Sequence, residues 1–219
     1  MTLPAALAKT AKGKLGAPGR PKDLSKGAAI MGAAKRLFLE QGYAGVSMDQ
    51  IASEAGVSKL TVYSHFGDKD SLFATVVQAH CEQQLPTALF TECGDLPLRD
   101  CLLQVARAFA AMVFAPEAIA GHRMMCTPQM AASSVPARFW KAGPDRVQQA
   151  MAELLARRAA AGELDVPDPQ LAASQFFTLL KGEPHSRRVL GCEHDDHDLA
   201  RHIGQTVDMF LRAYRATSG

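Results

Sequence analysis

The amino-acid sequence predicts an all-α fold in which a small three-helix unit precedes a larger helical domain. Beyond the first 24 residues, apolar side chains recur every three to four positions along most of the chain, which is the period of an amphipathic helix. No stretch combines a sustained two-residue alternation with β-branched residues, so no sheet is expected. Ser, Asp, Pro and Gly stand at the edges of the periodic stretches, where helices begin and end.

Composition and charge divide the chain into three segments. Residues 1–24 are rich in Ala, Gly, Lys and Pro and lack an apolar period, which predicts a flexible basic arm. We expect residues 25–84 to contain the three-helix unit together with the helix that follows it, and residues 85–219 to form the larger helical domain. Apolar residues make up 47% of the 219-residue chain, which is enough for a sizeable core.

The first predicted helix spans residues 25–41, because its apolar residues fall on a single face. Gly42 follows as its C-terminal stop. Ser47 caps a short helix, and Gln50 completes an S-x-x-Q capping box with it. That helix is expected to end near residues 55–56.

Two further caps complete the small unit. Ser58 caps a second short helix that ends at residues 66–67. Asp68 caps a longer helix over residues 69–84, which Pro86 closes.

Proline positions mark the later helices. Pro97, Pro116 and Pro144 each stand at a predicted helix start. Between the second and third of these, residues 127–143 contain two further prolines and two serines, so we expect a broken segment there.

The end of the chain predicts two long helices. Residues 169–181 are apolar on several sides, and residues 184–197 are interpreted as a loop or short turn. The last helix carries apolar residues at helical spacing from Leu199 to Tyr214.

The spacing of Ala52, Gly56 and Val62 is typical of a helix-turn-helix. A small residue lets the second short helix approach the first closely, and a glycine adopts the left-handed conformation of the turn. An aliphatic residue packs the second short helix back onto the first short helix and the first long helix. An ordinary helical corner is the alternative interpretation.

Exposed chemistry on the second short helix favours a contact with DNA. Its side chains are donors, and the helix N-termini at Ser58 and Lys69 are suited to phosphate. Phosphate contacts would position this helix, while a few side chains read bases in the major groove. The alternative is a solvated face, with Tyr63 as a core aromatic. The donors are Lys59, Thr61, Tyr63, Ser64 and His65.

The basic arm fits the same hypothesis. Residues 1–24 carry five basic side chains against a single acid, in a chain of net charge +2. Arg20, between Gly and Pro, is of the kind that enters a narrow A·T-rich minor groove. A solubilising or disordered tail is the alternative.

The run from residue 47 to 73, SMDQIASEAGVSKLTVYSHFGDKDSLF, resembles the DNA-binding domain of the TetR/AcrR family of regulators, over residues 25–75. The resemblance implies that the second short helix enters the major groove, with Lys59, Leu60 and Thr61 reading bases. Leu60 departs from the small residue often found there, and it either touches a thymine methyl group or is neutral. The resemblance also implies phosphate contacts by Ser47, Ser58, Tyr63, Ser64, His65 and Lys69.

Residues 138–191 resemble the C-terminal domain of AefR-like members of this family. The resemblance implies a homodimer in which the last two long helices, here about 169–182 and 197–216, pair with their copies. Large apolar side chains would support this pairing, because they are costly to leave in water, although burial within one subunit is the alternative. These side chains are Phe176, Phe177 and Phe210.

A pocket for a small-molecule effector is expected between the middle helices, because Met and aromatic side chains line adaptable apolar sites. His122 or Arg123 would serve as its polar anchor. Core packing explains the same apolar residues equally well. The candidate lining residues are Phe109, Met112, Met125, Trp140, Met151 and Phe177.

No cofactor or metal is expected. Residues 192–197 combine Cys, His and carboxylates that could bind a transition metal, but no second ligand cluster is evident and the acids could cap the last helix. The five cysteines form no CxxC motif, which favours reduced thiols in a cytoplasmic protein over a disulfide scaffold. Neither a membrane-spanning run nor a signal peptide is recognised.

These observations predict a ligand-responsive DNA-binding regulator. No motif of a hydrolase, metalloprotease, P-loop or dinucleotide site occurs, so an enzyme is not expected. The hypothesis is a dimeric repressor whose two recognition helices lie about 34 Å apart on double-stranded palindromic operator DNA, and which a small hydrophobic molecule releases. A regulator without a ligand and an activator are the alternatives.

Overall fold

A computed structural model of the chain describes residues 24–92, 96–192 and 199–216. Within these ranges the protein is helical and contains no strand, apart from an isolated antiparallel bridge between Leu164 and Arg215. The predicted all-α fold is confirmed. The helices are α1 (Leu24–Gly45), α2 (Met48–Glu54), α3 (Lys59–Phe66), α4 (Lys69–Gln84), α5 (Thr87–Thr91), α6 (Leu98–Val113), α7 (Pro116–Met125), α8 (Pro128–Ala131), α9 (Val135–Ala142), α10 (Pro144–Ala160), α11 (Pro169–Leu190) and α12 (Leu199–Ala213).

The caps of α2, α3 and α4 stand where the sequence predicts them. Ser47 and Gln50 form the full capping box, Ser58 accepts from the Thr61 amide, and Asp68 accepts from the Ser71 amide. Gly42 interrupts α1 with φ 69° and ψ 171°, a backbone conformation that L side chains rarely adopt.

The described residues form two hydrophobic cores. The first gathers the inner faces of α1 to α4 around residues such as Ile30 and Val62. The second gathers α6, α10, α11 and α12 around residues such as Met151 and Phe176. Helix α4 contributes to both, because Phe73 belongs to the first core and Cys81 packs against the second.

The broken segment over α8 and α9 packs against the first core. Met130 and Val135 are buried in it, and Phe139 is partly buried against it. A movement of α9 would therefore disturb the packing of the first core, which the helices of the small N-terminal unit share. The predicted division of the chain between residues 84 and 85 stays a prediction.

Helix α11 is longer than predicted. The loop expected over residues 184–197 is wrong in its first part, because helical structure continues to Leu190 after a break at Gly182, with φ 46° and ψ −153°. Pro184 lacks an N–H, so it fits the start of the new segment and leaves the Leu180 carbonyl without its usual donor. The His202 Nε2 lies 3.1 Å from that carbonyl and supplies the missing hydrogen bond from α12.

One cysteine departs from the expectation of reduced thiols. Cys101 is buried and disulfide-bonded, and its partner lies outside the described residues. Cys81, Cys126 and Cys192 carry free thiols. Widely spaced cysteines gave no sign of this bond, because pairing depends on which loops the fold brings together.

In the three described ranges, no single helix has the length and apolar character of a membrane span, although α6 and α7, bent by 66° at their junction, meet that criterion as a pair.

Candidate nucleic-acid interface and the helical region behind it

Helices α2 and α3 cross through a tight turn at Gly56. This glycine has φ 65°, and the Val57 amide donates to the Ala52 carbonyl at 3.0 Å. Ile51 and Val62 are fully buried, and they anchor the two helices on α1 and α4. The small residue, the glycine and the aliphatic residue thus occupy the places that a helix-turn-helix requires.

The opposite face of α3 is open to solvent. Leu60, the second residue of the helix, is 79% exposed and Tyr63 is 42% exposed, so Tyr63 is not a core aromatic. Lys59 and Ser64 are also exposed, while Thr61 and His65 are half-buried. Leu60 therefore presents an apolar side chain at the start of α3, within a surface that is otherwise polar.

The hydroxyl groups of this surface also hold the fold together. Ser58 Oγ lies 2.8 Å from Thr61 Oγ1, and Ser64 Oγ donates to the Thr61 carbonyl at 2.8 Å. Ser47 Oγ accepts from the Gln50 amide at 3.2 Å. A hydroxyl that accepts from a cap amide keeps its own proton for an outside acceptor such as phosphate.

Lys59 is engaged by an acid of the preceding helix. Its Nζ lies 2.9 Å from an Asp49 carboxylate oxygen, and this hydrogen bond raises the Lys59 pKa. The ammonium group also lies 6.0 Å from the centre of the Tyr63 ring. Asp49 was missed by sequence reasoning, although its place in the first turn of α2 is an ordinary one for an acid.

Lys69 lies at the start of α4 against an aromatic ring. Its Nζ is 4.2 Å from the centre of the Tyr43 ring, and partial burial lowers its pKa. The Tyr43 hydroxyl donates to Asp70; burial and that hydrogen bond raise the Tyr43 pKa. Lys69 is thus held by the aromatic ring of α1 at a helix N-terminus.

A polar joint ties the start of α4 to α9. Ser134 Oγ donates to Asp70 at 2.9 Å, and the Arg138 guanidinium donates to Ser71 Oγ at 3.1 Å. Arg138 also lies 3.6 Å from Asp68 and 3.7 Å from Asp70. No sequence signal pointed to this joint, because its two halves are more than 60 residues apart.

His65, the seventh residue of α3, is half-buried. His65 Nδ1 lies 3.5 Å from the position that a Cβ at Gly27 would take, so this imidazole packs against the start of α1. Arg20 lies outside the described residues, and its minor-groove contact stays a prediction.

The residues predicted to line an effector pocket occupy different surroundings. The rings of Phe109 and Phe177 contact each other with centres 4.4 Å apart and planes tilted by 39°, and both residues belong to the second core with Met112 and Met151.

The remaining candidates lie outside that core. Met125 packs against the first core, and Trp140 is 49% exposed. His122 and Arg123 are exposed on α7, where the Arg123 Nε donates to the Val189 carbonyl at 2.7 Å. The role of all eight residues in binding an effector stays a prediction.

The three phenylalanines expected to need a partner subunit are buried within the chain itself. Phe176, Phe177 and Phe210 are at most 4% exposed, as in the alternative interpretation. The large apolar side chains that α11 and α12 leave in solvent are others, which are 38–78% exposed, namely Leu171, Leu179, Leu190 and Met209.

The Cys, His and Asp run at residues 192–197 lies outside the described residues except for Cys192. In the part of the chain that the structure describes, no three potential metal ligands come together.

Two known sequence families match the chain. The description "Bacterial regulatory proteins, tetR family" matches residues 30–76, which include the helix-turn-helix. The description "AefR-like transcriptional repressor, C-terminal domain" matches residues 100–216, more than half of the chain.

Relatives and solved structures give the same picture. The transcriptional activator FasR of Mycolicibacterium smegmatis is 40% identical over 62 residues, which are 28% of each chain. A TetR-family regulator from Mesorhizobium loti is 28% identical, with TM-score 0.75, over 88% of this chain and 98% of its own. The flavonoid-responsive regulator FrrA is 30% identical, with TM-score 0.71, over 90% and 100% of the two chains.

The matches to curated relatives are partial. The chain spans 28% of the length of FasR and 47% of that of the repressor BdcR from Escherichia coli. The matched proteins are transcriptional regulators rather than enzymes, in agreement with the absence of catalytic motifs.

Proposed function

The chain belongs to the TetR family of bacterial transcriptional regulators, with a C-terminal domain of the AefR-like type, and from this premise we propose that it is a dimeric repressor that leaves a palindromic operator when a small molecule binds its helical domain. The observation that carries the proposal is the exposed face of α3, a helix whose opposite face packs on the first core through Val62.

The face of α3 supports direct reading of bases. Lys59 and Thr61 offer donors to base edges or phosphates, and exposed Leu60 offers an apolar contact to a thymine methyl group. We propose that Tyr63 and Ser64, one turn further, contact the phosphate backbone, Ser64 by turning its hydroxyl away from the Thr61 carbonyl.

The N-termini of α2 and α4 flank this face. Ser47 and Lys69 lie at helix N-termini, where amides and the helix dipole favour phosphate. We propose that Ser58 and His65 add to the same set of backbone contacts, and that Arg20 of the basic arm enters the neighbouring minor groove.

The exposed apolar side chains of α11 and α12 support pairing with a second copy. Leu171, Leu179 and Met209 provide the apolar surface that such an interface buries. A two-fold dimer would present two α3 helices to successive major grooves, which is why the operator is expected to be palindromic.

The joint between α4 and α9 supplies a route for regulation. Since Ser134 and Arg138 bind Asp70 and its neighbours, a shift of α9 would move the start of α4 and with it α3. A ligand that favours the shifted arrangement would lower operator affinity by its differential binding to that state. FrrA is named as flavonoid-responsive, which supports a small-molecule effector here.

The alternative of an activator has support in the name of FasR. An activator would bind the same kind of site, but upstream of a promoter rather than across it. A reporter gene under the identified promoter separates the two, because deletion of the regulator raises expression for a repressor and lowers it for an activator.

The test begins with the purified protein and fragmented genomic DNA. We expect enrichment of a palindromic site, with an affinity that falls steeply as salt rises. Tyr63→Ala should weaken binding to that site, whereas Arg107→Ala, on the exposed side of α6, should not. A folded protein that enriches no site, and binds all DNA weakly, would contradict the proposal.

The proposed route of regulation has its own test. Arg138→Gln removes the guanidinium from the α4 joint but leaves α3 untouched. We expect unchanged specificity for the operator sequence, together with an altered response of operator affinity to any effector found. Equal effector responses in the variant and the native protein would contradict a role for this joint.

A further inference from the structure

A cavity of about 160 Å³ lies between α1 and α4 of the small N-terminal unit. Apolar side chains form much of its wall, namely Met31 of α1 with Val76 and Ala79 of α4. Val76 is buried in the first core and Met31 packs against that core, which also holds α3 through Val62. A volume of this order accommodates a single aromatic ring.

The wall of this cavity also carries an imidazole that lacks a partner. His80 of α4 lines the cavity and is half-buried. Its Nδ1 is buried and has no hydrogen-bond partner in the described part of the chain. Because Nδ1 is sealed from solvent, a molecule in the cavity can reach only the Nε2 of this ring.

Charges of both signs act on His80. Burial lowers its pKa, the charge of Lys35 acts in the same direction, and the charge of Glu117 on α7 acts in the opposite direction. The imidazole is therefore uncharged near neutral pH. Lys35 also lines the cavity, so a cation would be repelled there, and an anion would be opposed by Glu117. These surroundings favour an uncharged molecule.

A hydroxyl group on an aromatic ring matches this wall. A hydroxyl both donates and accepts, so it pairs with the Nε2 of a neutral imidazole in either tautomer. Its oxygen is also an acceptor for the ammonium group of Lys35. The ring itself would lie against Met31 and Val76, and a methionine side chain adapts readily to the shape of an apolar neighbour.

We propose that the cavity between α1 and α4 binds a small uncharged phenol of one ring, with His80 as the hydrogen-bond partner of its hydroxyl group. The inference goes beyond the proposed function, because this site lies in the small N-terminal unit rather than among the middle helices. Its test needs no DNA. The bound ring would bridge α1 and α4 at the edge of the first core.

The experiment measures the binding of phenol to the full chain by titration calorimetry. Toluene, in which a methyl group replaces the hydroxyl, is the matched probe. We expect saturable binding of phenol at millimolar concentration, and binding of toluene weaker by about tenfold, because a hydrogen bond is lost. NMR of isotope-labelled histidine rings should show the His80 signals shifting as phenol saturates the protein.

The variant His80→Phe keeps a ring of similar size but removes both nitrogens. It should weaken phenol binding by about tenfold and leave toluene binding within about twofold, so that the preference for phenol disappears. Loss of one set of ring signals in this variant also assigns the His80 resonances. Thermal unfolding verifies that the variant is folded.

Gly32 provides a steric test with a matched control. It lines the cavity from α1, and the nearest described atom that a Cβ there would meet is Arg36 Nη1, at 3.8 Å. Gly32→Ala should narrow the cavity without a clash and weaken both probes by about threefold or more. Gly121→Ala, at a helical glycine of α7 where a Cβ meets no described atom within 4 Å, should leave both affinities unchanged.

Several results would overturn the site. If phenol does not bind saturably, the cavity holds water only. If phenol shifts other histidine signals but not those of His80, or if His80→Phe retains the preference for phenol, the ring binds elsewhere in the protein. Unchanged affinities in Gly32→Ala would likewise exclude this cavity. Tighter binding of benzoate than of phenol would contradict the uncharged class of ligand.

Discussion

Glycines with positive φ lie between α2 and α3 and within α11. The contacts that fix the helix boundaries differ in how far along the sequence they reach. At α2 and α3, each N-cap is bonded to a residue three positions away. At α11, the carbonyls freed by the break at Gly182 bind His202, about 20 residues later. Local hydrogen bonds therefore build the DNA-facing unit, while distant contacts shape the helical domain.

The sharpest way to break this contrast is to remove a distant contact from the second core. Phe176 is fully buried and contacts both Phe177 and Phe210. Phe176→Ala should lower the free energy of unfolding by about 3–5 kcal/mol, because a large cavity remains. Thr178→Ala, at an exposed position of the same helix, is the matched control. Chemical denaturation measures both, and equal losses in the two variants would contradict the assignment of Phe176 to the core.

The break at Gly182 gives the next largest effect. Its φ of 46° is unfavourable for an L side chain, and a Cβ there would lie 3.3 Å from the His202 ring. Gly182→Ala should therefore cost about 1–3 kcal/mol, and it should weaken the hydrogen bonds that His202 makes to α11.

Gly121→Ala is the control for this substitution. Gly121 is helical, within α7, and a Cβ there meets nothing within 4 Å, so alanine should stabilise the protein slightly. A stabilising effect of alanine at position 182 as well would mean that the break is not required.

The helix ends that depend on local contacts could be predicted from the sequence, whereas the break in α11 could not. The caps at Ser47, Ser58 and Asp68, and the turn at Gly56, depend on neighbouring residues, so their positions were read correctly from the sequence alone. The sequence predicts a loop from Pro184 onward, because a proline shortly after a glycine gives no information about a histidine on another helix that accommodates the break.

The candidate site divides in the same way. The exposure of Lys59, Leu60 and Tyr63 follows from the period of α3, whereas the hold of Asp49 on Lys59 needs the crossing angle of α2 and α3. The joint of Asp70 with Ser134, and the contact of the His122 ring with the His185 ring, join residues that are more than 60 positions apart. No spacing in the sequence indicates such contacts.

A single local hydrogen bond gives a smaller effect on stability. Ser58 caps α3 through the Thr61 amide at 3.2 Å, and Ser58→Ala should lower the free energy of unfolding by about 1 kcal/mol. Ser53→Ala, at an exposed position inside α2, should be neutral or slightly stabilising, since alanine is the better helix former. Urea denaturation of the two variants decides this, and a neutral effect at position 58 would mean that the cap adds little to the fold.

The smallest effect on stability, and the most informative one for function, is expected at Asp49. Asp49→Asn removes the carboxylate that binds Lys59 at 2.9 Å. Both groups are exposed, so the midpoint of thermal unfolding should hardly change. The freed ammonium group and the lost negative charge should strengthen DNA binding, and more so for non-specific DNA, because phosphate attraction is independent of sequence.

Glu54→Gln separates this effect from a general change of charge on α2. Glu54 binds Arg36 at 2.7 Å and is similarly exposed, but its partner lies on α1 rather than on α3. Fluorescence anisotropy at several salt concentrations should therefore show a lower ratio of specific to non-specific affinity for Asp49→Asn than for Glu54→Gln. If the two variants behave alike, Lys59 acts as one surface charge among others. If they differ as expected, α2 restrains the reading of DNA by α3 through one ion pair, which only the fold brings together.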